Sequence, residues 1–554
     1  MQQYPKNELA QIVIASCVAQ NINHIVISPG SRNAPLTIGF SNHPEIETYS
    51  IVDERCAAFF ALGIAQQLQK PVTIVCTSGS ALLNYYPAVA EAYYSRIPLV
   101  VISADRPANL IEIGDGQTIK QKGVFENHIL ESLNIEENTN LKVVTQQVRN
   151  IFRTSILKKG PVHLNIPFDE PLYELTNSIL RIDSKINIDN EIPLEVSELQ
   201  VYAELWNNAK KKIVLVGEHF PDELLQIQLE HLTKDPSVLV LVENTANVSH
   251  KKFINSIDKL IFPLDDEELT KFQPDILLTL GGLVVSKKIK QHLRAFKPTL
   301  HWHVDPTRAF DTFHSLSHHF KISAGLFFSQ FFFLTKPNES NFQDYWLQKK
   351  KFRLTKHVAF LNTCDFSDLK VFDTILDSIP DNYQLQLSNS SIIRYSQLFN
   401  INKTLRVFCN RGTSGIDGST STAIGAASIM KEPTLFITGD ISFFYDSNAL
   451  WNNYIPKNFR IILINNGGGG IFRIIPGPQN TNAIDLFETP HNLNAKHLCK
   501  MFNFEYHCAA NEDELMSLIS DFYSESNYPK LLEITTPRTE NDKILKAYFN
   551  NLKM

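Results

Sequence analysis

The sequence has no surplus of positive charge. Its 52 lysines and arginines are outnumbered by 58 acidic residues, for a net charge of −6. Broad nucleic-acid binding needs a basic face, so no nucleic-acid partner is expected. Any arginine cluster that binds anions must then be local. Paired cysteines are missing as well. Cys17, Cys56, Cys76, Cys364, Cys409, Cys499 and Cys508 are scattered, odd in number and form no C-x-x-C pair. They read as reduced thiols of a cytosolic protein rather than as a disulfide framework. Long apolar runs are absent too. The most apolar short stretch, Leu326 to Leu334, holds five phenylalanines. It falls far short of the ~20 residues needed to span a bilayer, and a buried helix end is expected there. The N-terminus, MQQYPKNELA, is polar and has no secretory apolar segment. A cytoplasmic protein without a membrane span is the expectation.

Two further motifs are lacking. No G-x-G-x-x-G follows a strand of the middle segment, so no dinucleotide is assigned to it. His301 and His303 alternate on one strand and His318 and His319 are adjacent. Neither pair has a third ligand at zinc spacing, so both read as structural or surface histidines.

What is present is an α/β pattern. With 554 residues the chain exceeds a single hydrophobic core, and three or four domains are expected. Short apolar runs ending in Gly, Pro, Asn or Asp recur at 24–30, 72–80, 98–107, 161–167, 212–218, 238–244, 275–282, 435–440, 460–468 and 530–537. They do not alternate, as befits parallel strands buried on both faces. Helical patterns such as CAAFFALGIAQQL (56–68) lie between them, which predicts α/β domains with parallel sheets. Polar breaks at 170–195 and 335–342 divide the chain into three α/β domains at 1–180, 190–335 and 345–554.

The outer segments share one register. An offset of 362 residues carries Gly63 onto Gly425, Ser80 onto Ser442, and the end of one strand at Ala104 onto Asn466. Three anchors in one register suggest two related domains. The same offset sets Ser78 against Asp440 and Glu54 against Ile416. Hard-oxygen ligands thus occur in the second copy only, as a cofactor held between unlike partners requires.

Asp440 follows an apolar strand and opens a helix, and Asn466 ends the next strand and enters the run Gly467 to Gly470. The carboxyl ends of neighbouring parallel strands form the ligand crevice of such sheets. Carboxylate, amide and backbone carbonyl oxygens suit Mg²⁺ or a similar hard cation. The helix start supplies N–H donors for phosphate, Ser442 a hydroxyl, and the glycines a close backbone approach. The plain alternative is an aspartate N-cap beside a glycine-rich turn.

Gly439-Asp440 and Asn465-Asn466, with 24 residues between them, resemble the thiamine-diphosphate motif, although the loop reads GDIS rather than GDG. That cofactor needs a carboxyl group beside its aminopyrimidine ring. Glu54, at the start of the small-residue helix in YSIVDERCAAFFALG, resembles the family's activating glutamate. A helix-start glutamate favoured by the dipole is the alternative, and Asp53 is an adjacent rival.

SPGSRNAPL (28–36), DERCAAFFALG (53–63), SADRP (103–107), NRGTSGIDGSTSTAIG (410–425), GDISFFYDSNAL (439–450) and NNGGGGIFRIIPG (465–477) together resemble the 2-succinyl-5-enolpyruvyl-6-hydroxy-3-cyclohexene-1-carboxylate synthase family (MenD) of menaquinone biosynthesis. The likeness spans both outer segments and is weak in the middle one. It implies a transferase that decarboxylates 2-oxoglutarate and adds the remainder to isochorismate. It also implies thiamine diphosphate, Mg²⁺ or Mn²⁺, and a homodimer or homotetramer with sites between subunits. Residue by residue, it implies metal ligands at Asp440, Asn466 and the Gly468 carbonyl, and cofactor contacts at Glu54, Ile416, Gly439 and Ser442. By the same resemblance, Ile416 would be the bulky residue that bends the cofactor, and Gln117 would match the glutamine that approaches the reacting carbonyl or water. Substrate contacts fall at Ser31, Arg32, Arg106, Gln117, Ser390, Arg394 and Arg411, at the basic pair Lys287-Lys288, and at the apolar wall of Ile471 and Phe472. Both substrates are dianions, and arginine suits bidentate carboxylate binding. The four-glycine run and the stretch GDGQTIKQKG (114–123) depart in part from the family pattern. Other thiamine-diphosphate enzymes, of the acetolactate synthase or 2-oxo acid decarboxylase type, are the rival reading. A non-catalytic α/β binding protein is a second.

Overall fold

The computed structural model describes residues 3–137, 139–182, 185–187, 191–475 and 477–553. A two-residue strand, β1 (Tyr4–Pro5), precedes β2 (His24–Ile27), β3 (Glu47–Ser50), β4 (Val72–Cys76), β5 (Leu99–Asp105), β6 (Glu131–Asn134) and β7 (Val162–Pro167). The last six form a parallel sheet in the order β3-β2-β4-β5-β7-β6. Next, β8 (Leu175–Thr176) pairs antiparallel with β1, inside the stretch read as a linker. The central sheet is β10-β9-β11-β12-β13, built from β9 (Lys212–Val216), β10 (Val238–Val242), β11 (Ile276–Leu280), β12 (Leu300–Val304) and β13 (Leu316–Phe320). The third sheet, β15-β14-β16-β17-β19-β18, contains β14 (Gln384–Leu387), β15 (Arg406–Cys409), β16 (Thr434–Gly439), β17 (Arg460–Asn465), β18 (Glu505–Ala509) and β19 (Lys530–Thr535).

The first and third sheets have the same strand order, counted from the start of each. The 362-residue offset carries Val72 of β4 onto Thr434, the first residue of β16, and Leu99 of β5 onto Ile461 in β17. It also relates helix Glu54–Leu68 to helix Ser419–Ile429, and these two helices pack on each other. They cross at glycines. A Cβ on Gly63 would lie 2.1 Å from the Thr422 carbonyl oxygen, and one on Gly425 would lie 2.0 Å from that of Phe60. One apolar core runs through the crossing, from Ile74 and Val101 to Phe436 and Leu463.

The central sheet carries separate cores on its two faces. His301 and His303 both hydrogen-bond Thr279 Oγ1, at 2.9 and 2.8 Å. His318 Nδ1 pairs with the Tyr202 hydroxyl at 2.7 Å, and His319 Nε2 with the Asp305 carbonyl oxygen at 2.7 Å. The phenylalanine run forms helix Ala324–Phe331, which buries Phe327, Phe328 and Phe331. Phe333, beyond the helix end, is 90% exposed, so the apolar run outlasts its helix. Among the described residues no helix is long and apolar enough to cross a membrane.

Candidate active site

Asp440 and Asn466 lie at the carboxyl ends of β16 and β17, neighbours in the third sheet. Gly439 is the N-cap of helix Asp440–Tyr445. With only six residues, that helix offers free N–H groups more than a large dipole. Asp440 is buried. Its Oδ1 accepts from Ile441 N–H at 2.7 Å and its Oδ2 from Gly468 N–H at 2.9 Å. Burial pushes its carboxyl up, and those two N–H groups oppose the shift. His491 Nε2 lies 3.3 Å from Asp440 Oδ2. Its Nδ1 accepts from Leu493 N–H at 3.1 Å, so a neutral ring carries its proton on the Nε2 side.

Asn466 donates its Nδ2–H to Asp368 Oδ2 at 3.1 Å, while its Oδ1 is buried with no donor among the described residues. A buried amide oxygen without a partner is costly unless something absent from the chain satisfies it. Next to the Asp440 carboxylate, it fits a hard cation. The Gly468 carbonyl accepts from Gly470 N–H at 2.9 Å and keeps a second lone pair. Gly467 and Gly468 have φ of 74° and 155°. A Cβ at Gly468 would lie 2.8 Å from the Glu488 carbonyl oxygen, so the close approach requires glycine. Glu488 itself is fully buried and bidentate to Arg473, both contacts at 2.6 Å. Its carbonyl receives Gly469 N–H at 2.6 Å, which holds the glycine run in place. Beyond the run, half-buried Ile471 opens a short helix, and Phe472 stacks on Phe487 at 5.3 Å. Ser442 Oγ donates to the Ile416 carbonyl at 2.7 Å. That hydroxyl is therefore committed to the Ile416 segment rather than left for a phosphate, and the Ile416 side chain is half-buried.

In the first sheet, Asp53 caps the helix that Glu54 opens. Burial raises the Glu54 carboxyl above its usual range, and the charge of Asp53 adds to this. Glu54 acts electrostatically on Cys76 and Tyr85, in its own half of the fold. No hydrogen bond or ion pair joins it to the Asp440 loop among the described residues. Asp53 is committed to Cys56 N–H and to Asn448 Nδ2, at 3.1 and 2.9 Å. That leaves Glu54 as the freer of the two carboxylates.

Two arginine pairs come together. Burial depresses the charged form of Arg32, and the neighbouring charge of Arg106 depresses it further. Arg32 Nη1 donates to the Phe168 carbonyl at 2.9 Å and Arg106 Nη2 to that of Gly116 at 3.2 Å, while Nε of both is buried without a partner. Gln117 lies beside them, at φ 55°, with its backbone against Gly79. Its side chain is exposed, as is Ser31. The second pair is Arg394 and Arg411. Burial lowers the Arg394 value, and the neighbouring charge of Arg411 lowers it further. Arg411 Nη1 donates to Asn389 Oδ1 at 2.6 Å, whereas Arg394 makes no hydrogen bond or close ion pair among the described residues. Ser390, at φ 67°, is a strained non-glycine position just before the Arg394 helix. Lys287 and Lys288 are exposed, and Lys288 Nζ lies 4.6 Å from the Phe262 ring centroid. The central-domain lysine that feels Arg411 and Arg394 is Lys290, one helical turn from Lys287.

Several groups escaped the sequence reading. Glu91, buried on helix Tyr86–Ser95, accepts from Gly412 N–H, Thr413 N–H and Thr413 Oγ1 at 2.6 to 2.8 Å. It thereby pins the loop after Arg411 to the first domain. Gln121 accepts from Gly79 N–H at 2.9 Å and donates to the Ala104 carbonyl at 3.1 Å. Glu243, near Arg411 and Lys290, is pushed up to about 7 by burial. Asp368, under Asn466, is pushed up to about 6 by burial. Gln121 lies in the quoted stretch 114–123 but the other three sit in no motif, and only the packed chain brings all four to the site.

The family model for the thiamine pyrophosphate enzyme N-terminal TPP binding domain matches residues 7–131. A 2-succinyl-5-enolpyruvyl-6-hydroxy-3-cyclohexene-1-carboxylate synthase of Flavobacterium psychrophilum is 54% identical over 551 residues, 99% of this chain and 100% of that protein. Proteins of the same name from Porphyromonas gingivalis and Bacteroides thetaiotaomicron are 37% and 34% identical. The first covers 96% of this chain and 94% of its own length, the second 99% of each. At this identity over nearly the whole length, the chain belongs to the 2-succinyl-5-enolpyruvyl-6-hydroxy-3-cyclohexene-1-carboxylate synthase family of thiamine-diphosphate enzymes.

Proposed function

We propose that this protein decarboxylates 2-oxoglutarate and joins the remainder to isochorismate, giving 2-succinyl-5-enolpyruvyl-6-hydroxy-3-cyclohexene-1-carboxylate for menaquinone biosynthesis in the cytoplasm. The observation that carries this reading is the 54% identity to a synthase of that name across 99% of the chain. Seven free cysteines suit the reducing compartment.

Bound thiamine diphosphate supplies a carbanion equivalent, which lets a 2-oxo acid lose carbon dioxide and form a carbon–carbon bond. Asp440, the free Oδ1 of Asn466 and the Gly468 carbonyl would hold Mg²⁺, with Mn²⁺ as a substitute, against the diphosphate. Gly439 would let the chain pass close to it, and Ser442 fixes the Ile416 segment, whose side chain would pack against the cofactor. Glu54 would set its carboxyl beside the aminopyrimidine ring, and burial raises that carboxyl above its usual range. Arg32 and Arg106, with Ser31 and Gln117, would take one substrate's carboxylates. Arg394 and Arg411, with Ser390, would take the other's. Unpaired buried guanidinium nitrogens in both sets support this division. Ile471 and Phe472 would exclude water on one side, and Lys287 and Lys288 would reach the site only from its rim. Among the described residues no hydrogen bond or ion pair joins Glu54 to the Asp440 loop of its own chain, which supports a homodimer, or a tetramer built from it, that pairs each Glu54 with a partner's diphosphate loop.

The test is carbon dioxide release from 2-oxoglutarate and from pyruvate, each with and without isochorismate. Release from 2-oxoglutarate with product formation only when isochorismate is present is the expected result. A preference for pyruvate would instead favour an acetolactate synthase or decarboxylase type. Failure to bind thiamine diphosphate with Mg²⁺ by calorimetry would revive a non-catalytic binding protein.

A further inference from the structure

Asn466 offers a cation only one useful atom, its amide oxygen, and the amide can be rotated to present its NH₂ group instead. What decides the rotation lies 98 residues away in the chain. Asp368, the first residue of helix Asp368–Ser378, is buried. Its Oδ2 accepts Asn466 Nδ2–H at 3.1 Å and its Oδ1 accepts the Thr536 hydroxyl at 2.6 Å. Its own backbone N–H donates to Asn541 Oδ1 at 2.9 Å, so the residue is anchored from two further segments. A carboxylate accepts and does not donate, so the half of the amide facing it must be the NH₂. The opposite half, Oδ1, is thereby driven to the side where it has no donor among the described residues. Thr536 follows the end of β19, the strand beside β17, and its N–H bonds the Asn465 carbonyl at 3.0 Å. The anchor is thus built into the sheet that carries the ligand.

We propose that Asp368 is a positioning residue for the metal site: it locks the side-chain amide of Asn466 with the oxygen aimed at the divalent cation. The inference rests on the reading of Asn466 as a metal ligand. Outer partners of this kind govern affinity as well as geometry, and losing one typically costs 10- to 100-fold in metal affinity. In Asp368→Ala the amide is free to turn, and either rotamer leaves a poorer site.

The experiment measures Mn²⁺ affinity of the purified protein by electron paramagnetic resonance, in saturating thiamine diphosphate, with the thermal midpoint of each variant as a folding control. Asp368→Ala and the isosteric Asp368→Asn are expected to weaken Mn²⁺ binding by about 10- to 100-fold for the former and less for the latter. Asn541→Ala removes the anchor of the Asp368 N–H without touching Asn466, so it lowers the midpoint and leaves Mn²⁺ affinity within about twofold. Asn466→Asp alone sets two carboxylates against each other and binds poorly. The double variant Asp368→Asn/Asn466→Asp relieves that repulsion and supplies a ligand that needs no orientation, so it binds Mn²⁺ better than either single variant. Wild-type affinity in Asp368→Ala, equal losses in Asn541→Ala and Asp368→Ala, or no rescue in the double variant would each overturn the assignment. Loss of thiamine diphosphate and Mn²⁺ binding by the unaltered protein is a separate outcome and would remove the underlying reading.

Discussion

Gly63 and Gly425 are counterparts across a helix crossing, each with the other helix's backbone where a side chain would stand. They are also the pair related by the 362-residue offset. The crossing joins the half of the fold that carries Glu54 to the half that carries Asp440. A methyl group at Gly63 would meet the Thr422 carbonyl at 2.1 Å, and backbone cannot step aside as a flexible side chain does. Overpacking of this kind costs about 1–3 kcal/mol or more. Gly63→Ala and Gly425→Ala should each lower the thermal midpoint by several degrees, and the double variant should lose less than the sum because the two share one contact. Gly116→Ala, with nothing within 4 Å of the added carbon, is the control and should leave the midpoint unchanged.

Glu54→Gln keeps the size of the side chain and removes the exchangeable carboxyl proton. Thiamine diphosphate affinity by calorimetry should stay within a few-fold of the original. Turnover should fall by about 10²–10⁴-fold, the usual worth of a positioned acid or base. Substantial remaining turnover would shift the role to another group, Asp53 being the first to test.

Among the described residues Arg394 makes no hydrogen bond or close ion pair, and the buried Asp258 that feels its charge keeps the Ser286 hydroxyl and the charges of Lys288 and Lys290 when it is removed. Arg394→Ala should therefore fold normally while KM for one dicarboxylate substrate rises. A charge-assisted hydrogen bond is worth about 1.5–3 kcal/mol, which corresponds to a rise of about 10- to 100-fold. Arg394→Lys keeps the charge without the fork and should recover only part of the loss. An unchanged KM for both substrates would place Arg394 outside the site.

Glu243 binds its proton more tightly in the folded protein, at about 7 against an ordinary 4.5. Its contribution to stability is therefore fully present below about 4.5 and lost as the pH rises through about 7. The same proton acts on the arginines. When Glu243 is neutral, Arg411 and Lys290 lose a nearby negative charge and attract a dianion more strongly. KM for a dicarboxylate substrate should fall as the pH is lowered from 8 to 6, and Glu243→Gln should flatten that segment of the profile. A profile with the same slope in the variant would assign the titration elsewhere.

The ten strands legible in the sequence are each dominated by apolar residues, and all ten are present in the sheets. Most of those it concealed are edge strands. β3, β6, β13, β15 and β18 each have a single neighbour and one side open to solvent, so they carry polar residues and lose the apolar signature. The interior strands β12 and β14 lack an apolar run for another reason, although the alternation of His301 and His303 already marks β12 as a strand. Their His301, His303, Gln384 and Gln386 are polar residues that find partners across the sheet or from the facing domain, as Gln386 does with Gln66 and Gln384 with Thr434.

By itself the sequence determined the α/β class, the repeated outer unit and the pairing of Gly439-Asp440 with Asn465-Asn466, because strand burial and short-range spacing leave direct traces in residue order. Lys287 and Lys288 mark where that reading stops. Both have the right charge but are exposed, and the half-buried lysine of the same helix whose charged form Arg411 and Arg394 depress is Lys290. Only the tertiary structure decided which cations stay unpaired, which carboxylates are raised, and which way the Asn466 amide points. Those properties depend on desolvation and on partners such as Asp368, brought into contact by packing from far along the chain.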